Sequence, residues 1–135
     1  MKIFLLMLLA IQVAGCGVVA RQKGDELLKR SQPADWGVLD PNHQTKELLV
    51  ILKELKDPDS AKFRFKLTRN AYYLDNNPVL AWYSSVFVNA KNSFGGYTGE
   101  QKYIFVYQCP INQGCELIGF ARPNSRYPHK LDWAK

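Results

Sequence analysis

Few residues in this sequence have the types and spacing that chemistry needs. Cys109 and Cys115 flank Pro110-Ile111-Asn112-Gln113-Gly114, a loop composition between two apolar runs. If those runs form a hairpin, the two thiols fall opposite each other and a disulfide can bridge them, stabilising the fold by about 2–3 kcal/mol in the chain-entropy view. A metal site would want further ligands nearby, and a redox pair is more often separated by two residues. A second set, Asn89, Lys91, Asn92 and Tyr97, surrounds Gly95-Gly96. Amide donors, a positive charge and an aromatic face together suit a glycan or a peptide carboxylate. The same residues also suit a purely structural turn, in which the asparagines bond backbone and the glycines supply special dihedrals.

Acid–base chemistry finds little to work with. The two histidines, His43 and His129, have no acid or nucleophile beside them in the sequence. Asp57 and Asp59 flank Pro58 and serve a turn more readily than paired-carboxylate cleavage of a glycan. No phosphate loop, nucleophile elbow or metal-spaced cluster occurs. The expectation is a chain that is not an enzyme and needs no cofactor or metal.

The N-terminus carries a different chemistry. Met1-Lys2 is followed by an apolar stretch from Ile3 to Val13, then by Ala14, Gly15 and Cys16. A positive start, a short apolar run and small residues describe an export signal. Val13-Ala14-Gly15-Cys16 resembles the lipobox of bacterial lipoproteins, which implies lipid attachment at Cys16 and cleavage just before it. Such a cysteine carries several acyl chains, and more than one chain is what durable anchoring requires. Gly17, where aspartate would favour retention in the inner membrane, implies the outer membrane with the domain facing the periplasm. The competing reading is that Ile3 to Ala20 spans a bilayer uncleaved, although Gln12, Gly15 and Gly17 weaken its second half.

Size and charge limit the rest. The chain has 135 residues, 47% hydrophobic and 13% aromatic, which excludes a disordered polar polymer. The formal charge is +6, or +5 once Lys2 leaves with the leader. Nucleic acid is scarce outside the cell, so an anionic head group, an acidic glycan or an acidic envelope protein is the expected partner, with solubility alone as the plainer account.

Three parts are expected: a signal peptide over 1–15, a flexible tether over 16–40 with a short helical piece near Glu26 to Arg30, and one domain over 41–135. Asp40-Pro41 reads as a helix start, and Leu48, Leu49, Ile51, Leu52 and Leu55 give one apolar face, with Lys46, Glu47, Lys53, Glu54 and Lys56 turned away. The helix runs over about 41 to 56 and stops at Asp57-Pro58. The period then changes to two. Lys62 to Leu67, Leu80 to Asn89, Lys102 to Cys109 and Cys115 to Arg122 read as strands, with turns at Asn76-Asn77-Pro78 and Asn92 to Gly96. The fold class is therefore α+β: one N-terminal amphipathic helix packed on a four-stranded antiparallel sheet. Trp82, Tyr83, Phe87, Tyr103, Phe105 and Tyr107 would fill either a larger core that uses the tail or a partner surface.

Two segments, Leu55-Lys56-Asp57-Pro58-Asp59-Ser60-Ala61-Lys62-Phe63 and Val88 to Gly99, together resemble motifs of small exported bacterial proteins and lipoproteins. Relatives of that kind often carry a cysteine and a glycine shortly before the valine–asparagine pair, where this chain has Ser84-Ser85-Val86-Phe87. The resemblance implies a fold and no particular activity. The functional expectation is a lipid-anchored, non-enzymatic interaction module bound to an envelope protein or glycan. The alternatives are an exclusion-type lipoprotein of a mobile element, or an inhibitor of a cell-wall hydrolase using the loop Pro110 to Gly114 as a plug.

Overall fold

The computed structural model describes residues 15–126 and 128–130. The expected leader, with Val13 and Ala14 of the lipobox, lies outside the described residues, as do Tyr127 and the end of the tail with Trp133.

The centre of the fold is a long hairpin. Strands β1 (Lys62–Leu74) and β2 (Asn77–Asn89) pair in unbroken antiparallel register from Lys62 opposite Asn89 to Leu74 opposite Asn77. Asp75 and Asn76 connect them with φ of 49° and 67°. Two consecutive positive-φ residues make the turn whose twist matches that of paired strands, and Asp and Asn tolerate that geometry best after glycine. The turn thus sits one residue earlier than Asn76-Asn77-Pro78, and Pro78 belongs to β2. Its missing N–H does no harm there, because β3 (Gln101–Gln108) pairs with β2 only as far as Trp82 opposite Tyr107.

Strand β4 (Glu116–Ala121) pairs with β3, and a two-residue β5 (His129–Lys130) pairs with β4, giving the order β1-β2-β3-β4-β5. The class α+β with an antiparallel sheet is as expected. The sheet has five strands rather than four because the tail returns along β4. A register shift between Val106 and Tyr107 leaves Ile118 as an extra residue in β4, a bulge that bends the strand. Tyr72 of β1 shows how far the sheet curls. Its Oη donates to the carbonyl of Pro128, and a Cβ added to Gly119 would lie 2.9 Å from it. In a flat sheet β1 and β4 would be about 14 Å apart, out of a tyrosine's reach.

Side chains alternate across this curled sheet. One face presents Val86, Val88, Tyr103, Phe105, Tyr107 and Phe120, and helix α2 (His43–Leu52) packs onto it through Ile51. The other face folds over itself around Tyr72, Ala81, Val106 and Ile118, with Tyr72 edge-on to Tyr83 at 6.3 Å. The aromatic residues therefore fill two cores. Trp82, Tyr103, Phe105 and Tyr107 belong to the helix-covered face; Tyr83 and Phe87 belong to the self-covered one.

Helix α2 is shorter than expected and is rotated. It starts after Asn42, because Asp40 accepts the Asn42 N–H and forms an Asx turn ahead of the helix. Its buried stripe runs through Glu47 and Ile51, while Leu49 is 58% exposed. Apolar residues occupy every position from Leu48 to Leu52, so hydrophobic periodicity alone could not fix the rotation.

Residues 16–40, expected as a tether, are structured. Helix α1 spans Gly15–Arg30, and a short 3₁₀ turn follows at Pro33–Trp36. Gly24 is buried where α1 meets the sheet: a Cβ there would lie 2.1 Å from Tyr73 Oη. Trp36 is buried against Trp82 with ring centroids 6.4 Å apart, and Trp82 Nε1 donates to its carbonyl at 2.9 Å. Gly37, at φ 62°, then passes so close to Cys109 that any side chain would strike its carbonyl.

Candidate functional site

The two sequence segments singled out above meet in space, and Ser60 joins them. Pro58 opens a short 3₁₀ turn, Pro58–Ser60, that turns the chain into β1. Ser60 Oγ donates to the Asp57 carbonyl at 2.9 Å and accepts the Lys91 N–H at 2.9 Å. The Ser60 carbonyl accepts from Tyr97 Oη at 3.4 Å. Beyond β2, Lys91 and Tyr97 form an isolated bridge, which places the lysine ammonium 5.6 Å from the tyrosine ring centroid. Lys62, the first residue of β1, sets its own ammonium 5.0 Å from the same ring. Two cations therefore share one half-exposed ring, held by a hydroxyl and a backbone carbonyl of a neighbouring turn.

The four residues expected at this site divide. Lys91 and Tyr97 come together on the surface. Asn92 is spent on the loop, its Oδ1 accepting the N–H groups of Phe94 at 2.9 Å and Gly96 at 3.1 Å. Asn89 stands opposite Lys62 in the ladder, and its Oδ1 is buried with no hydrogen-bond partner among the described residues. Lys62 was missed because sequence reading assigned it to strand formation. The signal was the lysine one residue before the end of the first of the two segments.

Beside this cluster lies a groove of about 290 Å³ between the turn after α2, with Glu54, Leu55 and Lys56, and the ends of β2 and β3, with Val88, Ala90 and Tyr103; Lys91 and Asn92 form part of its wall. Glu54 is engaged there by Arg122 at 2.8 Å. Burial, with the nearby Glu54 carboxylate adding to it, raises the pKa of Tyr103. On the self-covered face, Arg64 stacks 3.8 Å from the Phe87 centroid, and Lys102 lies 5.8 Å from it. Glu100 holds Arg64 through two hydrogen bonds of 3.2 and 2.7 Å. This end of the sheet is thus basic, aromatic and open, an arrangement that suits holding an anionic group rather than activating one.

A second polar cluster is closed. Glu47 is fully buried under α2 and accepts from Ser84 Oγ at 2.9 Å and Tyr107 Oη at 3.0 Å. Burial pushes its carboxyl above the usual range, against the pull of those two hydrogen bonds. The same burial, with Glu47 beside it, raises Tyr107 strongly. His43 stands edge-on to Tyr107 at 6.2 Å and makes a 2.7 Å contact with the Asp40 carbonyl through Nδ1. Serine, acid and histidine are thus gathered, but Ser84 is only 2% exposed and its proton already points at Glu47. No substrate reaches it. Glu47 had been expected to face solvent; the hydroxyls of Ser84 and Tyr107 draw it inward.

Cys109 and Cys115 are joined by a disulfide that closes the β3–β4 hairpin. Between them Asn112 adopts φ 59° and Gln113 N–H bonds to the Pro110 carbonyl at 3.1 Å, leaving Ile111 57% exposed at the tip. Cys115 Sγ lies 2.9 Å from the Val38 carbonyl, and Val38 itself is 87% exposed. Cys16 lies in the first turn of α1. Among the described residues no helix is long and apolar enough to cross a membrane, and no group of three or more His, Cys, Asp or Glu is placed to hold a metal ion. His129 lies in β5. Compared with family models, with curated proteins and with solved structures, the chain matches none.

Proposed function

We propose that this chain is a lipid-anchored, non-enzymatic interaction module of the bacterial cell envelope, attached through lipid on Cys16 and facing the periplasm from the outer membrane. Its binding surface is the basic end of the sheet, headed by Lys62, Lys91 and Tyr97, and its ligand is an anionic group on an envelope protein or glycan. The observation that carries this reading is the Tyr97 ring shared by two lysine ammoniums beside an open groove. Lys62 is exposed and Lys91 partly so, which leaves both open to an incoming anion, and the ring offers it a flat apolar contact.

Two measurements test the two halves. Membrane fractionation with intact-mass analysis compares the wild type with Cys16→Ser; a lipidated chain beginning at Cys16, released from the membrane in the variant, supports the anchor. A full-length chain retained in both forms ends that half of the proposal. Retention of the full chain in detergent on surfaces coated with polyglutamate or peptidoglycan fragments should drop at least tenfold in Lys91→Glu with Tyr97→Ala. Equal retention on both surfaces rules out this end of the sheet as the site.

A second reading rests on the stapled loop. Exposed Ile111, flanked by Pro110 and held by the disulfide near exposed Val38, has the form of a plug for a cleft, as in an inhibitor of a cell-wall hydrolase. Failure of Ile111→Asp to change inhibition of any hydrolase that the wild type slows would remove this reading.

A further inference from the structure

Among the described residues, the outer edge of β1 has no strand paired to it. Strand β1 is the first in the sheet order, so only β2 pairs with it. In an antiparallel ladder, residues bonded to the neighbour alternate with residues whose N–H and C=O point outward. The turn at Asp75-Asn76 sets the phase: Leu74 and Asn77 close it as a bonded pair, so Tyr72, Asn70, Thr68, Lys66, Arg64 and Lys62 also face β2. Phe63, Phe65, Leu67, Arg69 and Ala71 turn their backbone outward. Ala71 supports this phase independently. Its N–H is taken by Asn70 Oδ1 at 2.9 Å and its carbonyl by Tyr83 Oη at 3.1 Å, so the edge is closed at that point by side chains. From Phe63 to Arg69, no partner for the outward groups is present among the described residues.

Long open edges are hazardous, and charge on them decides what they accept. This one carries Lys62, Arg64, Lys66 and Arg69 and no acidic residue anywhere in β1. All four are exposed, and only Arg64 forms an ion pair among the described residues, with Glu100. A second copy of the same strand would lay like charge against like charge. An acidic strand meets the opposite condition.

We propose that the β1 edge from Lys62 to Asn70 accepts an extended acidic segment of a partner protein as an added strand. The outward N–H and C=O groups supply the ladder, and Lys62, Arg64 and Lys66, which share one face of β1, select alternating carboxylates, while Arg69 lies on the other face over Trp82. This deepens the proposed binding role by naming the chemistry of its partner. It rests on that reading for the existence of a protein ligand and shares Lys62 with it, but the edge does not need Lys91 or Tyr97.

The test uses the full chain in detergent and a labelled ten-residue peptide alternating glutamate and threonine, with the lysine–threonine peptide as control. Saturable binding of the acidic peptide alone is expected, with slowed amide exchange at Phe63, Phe65, Leu67 and Arg69. Leu67→Pro deletes one outward N–H while leaving every bond to β2 in place, so affinity should fall at least tenfold with the unfolding midpoint little changed. Should that variant fail to fold, Arg64→Glu with Lys66→Glu, two changes on one face of the strand, should exchange preference from the acidic to the basic peptide. No binding of the acidic peptide, equal binding by Leu67→Pro in a folded chain, or protection of those four amides with no peptide present would each overturn the proposal. The last outcome would mean that the chain itself or a second copy already fills the edge. Loss of binding in Leu67→Pro with polyglutamate retention still sensitive to Lys91→Glu would support the edge. Loss of the Lys91 effect with peptide binding intact would sink only the Tyr97 site.

Discussion

Glu47 and Lys62 are both charged residues on elements that flank the same core, yet they have opposite fates. Glu47 sits inside, with Ser84 and Tyr107 donating to it, and nothing from solvent reaches it. Lys62 sits at the end of a strand, leaning on a ring it shares with Lys91, and keeps access to water. One group spends its charge on holding α2 to the sheet; the other leaves it available. The lesson is that gathered polar residues identify a binding site only when their partners leave them something to give. The Glu47 cluster has the more suggestive composition, and the Tyr97 cluster has the open geometry.

The contrast breaks first at Glu47. Glu47→Ala strands two buried hydroxyls and opens a void beneath α2, and should lower unfolding free energy by about 2–4 kcal/mol in urea titrations. A loss below about 1 kcal/mol would mean that the carboxylate is not what fixes the helix. Removing the staple by Cys109→Ser with Cys115→Ser should cost about 2–3 kcal/mol, read as a lower denaturant midpoint without change in the sheet's circular dichroism. Asn92→Ala deprives two loop N–H groups of their acceptor and should cost about 1 kcal/mol, with faster amide exchange at Phe94 and Gly96. A further effect is read as a slope. Burial holds the folded Glu47 carboxyl above the 4.5 of its unfolded reference, so the folded state binds the proton first as pH falls. Its contribution to stability is therefore greatest at and below pH 4.5 and declines as pH rises through the raised folded value. The stability difference between wild type and Glu47→Gln should follow that trend, and a difference flat across the window would contradict the burial argument. Smallest of all, Tyr97→Ala should change stability by less than about 0.5 kcal/mol, since the ring is 45% exposed and its hydroxyl contact is long. A large loss there would turn the open cluster into a second structural pin.

Much of the sheet was legible in the sequence because alternation and turn chemistry are local. The Cys109–Cys115 pairing followed from a loop composition between two strand patterns. Three things escaped for physical reasons. Helix α1 buries only a narrow strip around Gly24, so its hydrophobic pattern is faint, although Trp36 among polar residues was a readable sign that the region docks. The rotation of α2 depended on hydroxyls that lie 37 and 60 residues further along the chain. The meeting of Lys62 with Tyr97 required β1 and the loop after β2 to be folded back on each other. Lys91 and Tyr97 lie close in the sequence and could be read together; that Lys62 shares the same ring could not.

Helix α1 also has a mechanical meaning for any attachment at Cys16. A disordered run of about 24 residues lets its cargo wander through a volume of roughly 27 Å radius, with every orientation available. A 16-residue helix about 24 Å long, docked on β1 and β2 at Gly24, works instead as a bracket. With lipid at its first turn, the angle at which the domain leans over the bilayer is set by the helix-to-sheet contact, and so is the side of the domain offered to a neighbour. A bulky residue at position 24 would then re-aim the domain without touching any binding residue.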